Sequence, residues 1–77
     1  MRGRGEYTHY SPTAIRRAIR GKGLSSVDVA KRSKGILTYQ TILKLEQGKQ
    51  KRVAVDKLEA LARALFVPVE ELRGEIT

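Results

Sequence analysis

Residues that start and stop helices recur at short intervals along this chain and cut it into segments too short to stand alone. Ser11-Pro12 opens the series. A Ser hydroxyl can accept from a free N–H of a first turn, and Pro at the first helical position gives up an N–H that has no partner there. Gly21 and Gly23 close that segment. Ser25, with Asp28 three residues on, has the spacing of a short capping box. Gly35 marks a turn that needs a positive φ, Thr38 caps a third segment, Gly48 ends it, and Pro68 starts the last. An isolated helix shorter than about 12–15 residues is marginal in water, so these pieces must stabilise one another by mutual burial.

The apolar residues fall where such burial needs them. Ile15, Ala18 and Ile19 form the inner stripe of the first segment, with Arg16, Arg17, Arg20 and Lys22 turned to water or a partner. Val29 and Ala30 face inward in the second, which runs to about Ser33, with Val27 expected to assist. Ile42 and Leu45 serve the third; Val55, Leu58, Leu61, Ala62 and Leu65 give the fourth the clearest helical period. Val69 and Leu72 serve the fifth. No strand pattern or repeat is visible. The expectation is a compact all-α domain of five short helices over residues 11–77, preceded by a flexible basic arm over 1–10. With 77 residues and no cysteine, the domain has one modest core and neither disulfide nor thiolate-metal staple. The fifth helix closes near the end of the sequence, so no separate ligand-sensing or oligomerisation domain is expected.

Charge narrows the partners. Residues 1–55 carry thirteen Lys/Arg against three Asp/Glu, residues 56–77 carry three against five, and the whole is +8. A basic front and a mildly acidic back point to a polyanion on one face, nucleic acid first and an anionic membrane second. The longest apolar run, Ala64 to Val69, is far too short to span a bilayer. No signal-peptide pattern follows the charged N-terminus, and a cytoplasmic location, on the nucleoid when bound, is expected. No His/Ser/Asp set, carboxylate pair or Gly-rich phosphate loop argues for catalysis, and His9 alone makes no metal site. No enzyme, cofactor or small-molecule ligand is expected.

The third segment, TYQTILKLEQGK over 38–49, carries the functional signal. Its inner stripe is thin, and its other side gathers Tyr39, Gln40, Leu43, Lys44 and Gln47. Two short helices joined by a Gly-containing turn, the second polar on its outer face, are the parts of a helix-turn-helix. Residues 15–72 resemble the DNA-binding domain of the Xre family, the Cro and phage-repressor class. The matching residues are Gly23-Leu24-Ser25, Val29-Ala30, Thr38, Ile42, Leu45-Glu46 and Gly48-Lys49, then Leu58, Leu61-Ala62, Ala64-Leu65, Val67 and Glu71-Leu72.

The resemblance implies a lambda-repressor-like five-helix bundle that binds double-stranded DNA. Its recognition helix, about 38–47, would lie in the major groove of an operator, as in a bacterial or phage regulator of repressor type. Tyr39, Gln40, Leu43 and Lys44 are then the base-reading candidates. Gln suits adenine, Lys reaches guanine O6 and N7, and an apolar group packs on a thymine methyl. Ser26, Thr38, Thr41, Gln47, Lys49, Lys51 and Arg52 are candidates for the phosphate backbone. Tyr39 has a second reading beneath the turn, and Leu43 a second reading as core or protein contact. The arm has one as a minor-groove reader. A homodimer, if formed, is expected to use the fourth and fifth helices or the tail, where Phe66, Val67, Val69, Leu72 and Ile76 supply apolar surface; a weak dimer assembled only on DNA and a monomer are the alternatives. The alternative function is a protein-binding helix-turn-helix, such as an antitoxin or an RNA-polymerase-binding phage factor; a third is a nucleic-acid binder without sequence preference.

Three departures from the family pattern stand out. Ala30 to Thr38 is two residues longer than usual, and the extra turn holds Ile36 and Leu37, at least one of which is expected to pack inward against the first or third helix. Ile19 stands where the family places an Arg that partners the residue here named Glu46. Arg16 or Arg20 can replace it, or Glu46 can bond backbone groups. The fourth helix lacks its usual Pro and Ser at the start, where Val53 and Ala54 stand.

Overall fold

In the computed structural model, which describes residues 6–74, the caps act where the sequence puts them. The Ala14 N–H donates to the Ser11 hydroxyl at 3.1 Å and α1 runs Pro12–Gly21. Ser25 and Asp28 form a full capping box ahead of α2 (Ser26–Arg32), each backbone N–H bonded to the other's side chain. Thr38 accepts from the Thr41 N–H at 3.1 Å and starts α3 (Tyr39–Gln47). Gly48 follows at φ +70, and a Cβ there would meet Pro12 Cγ at 3.1 Å. Glycine is thus required twice over, by the left-handed backbone and by the approach of α1. Helices α4 (Val55–Leu65) and α5 (Val69–Arg73) complete the bundle.

Every helix contributes to one core. Ile15, Val29, Ile42, Leu45, Leu58, Leu61, Leu65 and Leu72 are fully buried, and Ala18, Ile19, Leu37, Val53 and the alanines of α4 join them. Helix α3 packs on both α1 and α2, while α5 bridges α1 and α4. The Ser11 N–H donates to the Leu72 carbonyl at 2.8 Å, which ties the start of α1 to the end of α5.

Several expectations change. Two short strands, β1 (Tyr7–Thr8) and β2 (Val53–Ala54), pair antiparallel with Tyr7 opposite Ala54 and Thr8 opposite Val53. They explain how α4 begins without a side-chain cap: its first residue, Val55, donates its N–H to the Glu6 carbonyl at 3.1 Å. The residue ahead of β1 thus supplies an acceptor for one of the four N–H groups that a helix start leaves without an intrahelical partner. Of the arm expected over 1–10, residues 1–5 lie outside the described residues. Within 6–10, Tyr7–Thr8 is paired and the half-buried Tyr10 donates its hydroxyl to the Gln50 carbonyl. Burial pushes the Tyr10 phenol above its ordinary pKa, so it stays a donor.

Val27 is exposed rather than inward. Leu72 is fully buried in its own domain and offers nothing to a dimer contact, and Ile76 lies outside the described residues. In the long turn Leu37 packs inward, 2 % exposed, and Ile36 stays out. Lys34 and Gly35 both have positive φ, +59 and +89, which turns the chain back sharply enough to do this.

Candidate nucleic-acid interface

Helix α3 is held from both ends and from behind. Ile42 and Leu45 fix its inner side in the core. At its C-terminus the Arg16 guanidinium, from α1, donates to the Glu46 carbonyl. A cation on the last carbonyls of a helix satisfies an orphan acceptor and meets the negative end of the helix dipole. From α2, the Ser26 hydroxyl donates to the Glu46 carboxylate. The pairing question around Glu46 thus resolves in two parts. Arg16 takes its backbone, Ser26 takes its side chain, and the position of Ile19 is filled by core packing. Arg16 is half-buried as a result, not simply turned to water.

The N-terminal end of α3 rests on the long turn. Ser33, 5 % exposed, donates its hydroxyl to the Ala30 carbonyl at 2.7 Å and accepts from the Leu37 N–H at 3.0 Å. That places Thr38 directly after a fixed residue. The Thr38 and Thr41 hydroxyls lie 2.9 Å apart. One hydrogen serves that bond, so the pair keeps one O–H to give outward.

What remains on α3 is a free outer face. Gln40, Lys44 and Gln47 are exposed, and Tyr39 is 46 % exposed. Leu43 and Thr41 are half-buried. Beyond Gly48 the exposed cations Lys49, Lys51 and Arg52 follow on a loop whose Gln50 carbonyl is tied to Tyr10. Ser26 is the candidate that stands apart. It opens α2, and its hydroxyl proton is committed to Glu46. Sequence reasoning offered Arg16 as one of two candidate partners for Glu46, and the structure selects it over Arg20, on the backbone carbonyl. It missed Ser33 and Tyr10 as positioning residues, and Tyr10 carried no signal.

A family model described as helix-turn-helix, of the Xre/Cro type, matches residues 15–72. The chain belongs to that family. The match runs from Ile15 within α1 to Leu72 of α5 and includes both helices of the motif, α2 and α3. This helix-turn-helix domain is therefore one of a family of DNA-binding domains. No curated protein and no solved structure matches the chain. Among the described residues, no group of His, Cys, Asp and Glu is arranged to hold a metal ion, and no helix is long and apolar enough to cross a membrane.

Proposed function

We propose that this protein binds double-stranded DNA in a sequence-specific way and regulates transcription as a repressor of bacterial or phage type, with α3 in the major groove. The observation that carries the proposal is the division of labour on α3. Its inner side and both ends are engaged by the fold, while Tyr39, Gln40 and Lys44 are left outward with nothing to do internally. Gln40 pairs bidentately with adenine, Lys44 reaches guanine O6 and N7, and Tyr39 and Leu43 offer apolar contact to thymine methyls. Thr38, Thr41, Gln47, Lys49, Lys51 and Arg52 take phosphates and set the register. Ser26 contributes through its backbone N–H at the start of α2 rather than through its hydroxyl.

Two features bear on the rival readings. Leu37 is buried, so the bare Ile36-Leu37 pair that a protein-binding use of this face would exploit is absent. Among the described residues, burial of Leu72 leaves Phe66, Val67 and Val69 of the apolar groups named for the C-terminal helices. Stable interfaces bury about 1,200–2,000 Å², more than three side chains supply. We therefore read the protein as a monomer in solution or a dimer assembled only on DNA. Selection of bound sequences from a random duplex pool tests the proposal. A recurrent motif containing an adenine beside a guanine is expected, and a pool that stays unenriched after several rounds contradicts sequence-specific binding.

A further inference from the structure

Helix α4 ends differently from its neighbours. The left-handed residue that closes α3 is Gly48 and that closing α5 is Gly74, but α4 closes on Phe66 at φ +58. A residue with a Cβ is strained in that region, and glycine relieves the strain. Phe66 gains little burial in return. It is 75 % exposed, the most exposed large apolar side chain among the described residues. Its ring is approached by the Arg32 guanidinium, 5.7 Å from the centroid. Strain and exposure at one aromatic residue raise the question of what covers it.

The ring forms one wall of a groove of about 370 Å³ between the end of α2, the long turn and the last turns of α4. Pockets that hold small ligand groups run from about 300 to 1,000 Å³. Two small residues of α4, Ala60 and Ala64, line it together with Ile36, which is 51 % exposed. Three cations line the same groove: Arg32, Lys34 and Arg63. No residue of α3 or of the 48–52 loop lines it. The groove is therefore separate from the side chains assigned to DNA.

We propose that this groove docks an acidic, amphipathic segment of a partner protein. One large apolar side chain of the partner sits over Ala64 between Ile36 and Phe66, and carboxylates flanking it pair with Arg32, Lys34 and Arg63. Charge decides among occupants. A second copy placed on a two-fold axis through the groove brings the three cations against themselves. A phosphate backbone satisfies the cations but leaves Phe66 and Ile36 uncovered. An acidic-apolar segment satisfies both sets, and its approach leaves α3 free to hold DNA at the same time.

The test uses the ¹⁵N-labelled full chain and two synthetic peptides of roughly 14 residues with Leu at i, i+4 and i+7 spacing. One carries Glu and Asp at the remaining positions, the other Lys. The expected result is that the acidic peptide shifts backbone amides at 32–36 and 60–67 and spares those of 39–47, while the Lys peptide shifts neither. Phe66→Gly should melt at or above the parent temperature, because it relieves the left-handed strain, yet lose at least about tenfold in affinity for the acidic peptide. Arg63→Glu should weaken the acidic peptide and strengthen the Lys one. The proposal is overturned if both peptides bind alike or neither perturbs the groove. It is also overturned if the groove amides shift with protein concentration alone, which marks a second copy, or respond to random duplex DNA instead of the peptide.

Discussion

Ser33 shows how one small side chain sets where a neighbouring helix begins. Its hydroxyl bridges the Ala30 carbonyl and the Leu37 N–H, so the two extra residues of the turn fold over the core and Thr38 begins α3 in a fixed place. Removal of the hydroxyl in Ser33→Ala strands the buried Leu37 N–H without an acceptor. The expected loss is about 1–3 kcal/mol in chemical denaturation. A variant within a few tenths of the parent would show that another group takes over that N–H. The sequence does not reveal this role. Ser33 reads there only as the end of α2, because its partner Leu37 becomes buried through two positive-φ residues, one of them Lys34, whose backbone no residue type advertises. The outer residues of α3 are the opposite case. Gln40 and Lys44 were legible because exposure on a helix follows from spacing alone once Ile42 and Leu45 are assigned to the core.

Among the elements, those whose ends are fixed by near neighbours in sequence were legible and those fixed from afar were not. Ser11, Ser25 and Thr38 bond residues three positions on, so their helices start where the sequence places them. The start of α4 was indistinct, since its first N–H is satisfied by Glu6 and its approach is guided by a two-residue ladder too short for any alternation to show. Helix α2 makes a prediction about pH. The Ser25 N–H, and then the Ser25 hydroxyl, hold the Asp28 carboxyl below its ordinary range. The folded state thus favours the carboxylate, so Asp28 stabilises α2 at neutral pH. That contribution fades as pH falls below the ordinary Asp value of about 3.9 and on through the lower folded value. Thermal melts of Asp28→Ala should lie below the parent at pH 7 and converge with it in acid; a gap that stays constant would mean the carboxylate is not the stabilising form. The loop after α3 makes a prediction about salt. Lys51→Ala with Arg52→Ala should weaken all duplexes alike and reduce the slope of log affinity against log salt by roughly 1 to 2 units, at about 0.9 per phosphate. An unchanged slope would put the loop away from DNA.

For the whole molecule, the locks around α3 and the charge distribution tell one story. Arg16 and Ser26 converge on Glu46 from two different helices, and Tyr10 ties the basic loop to the strand segment ahead of α1. These bonds hold α3, the helix proposed to read DNA, in one place in the bundle, with its outer face presented at a set angle. The five-helix architecture was legible in the sequence because each stripe feeds one core. The locks were not, since they join residues distant in sequence whose meeting depends on the packed fold. The central claim is that this face discriminates sequence. The most direct measurement is the affinity of the parent and of Gln40→Ala, at one salt concentration, for a preferred duplex and for a scrambled duplex of the same length. The account predicts that the substitution costs about 1–3 kcal/mol on the preferred duplex and leaves the scrambled one nearly unchanged. An equal loss on both, or no loss on either, would contradict it.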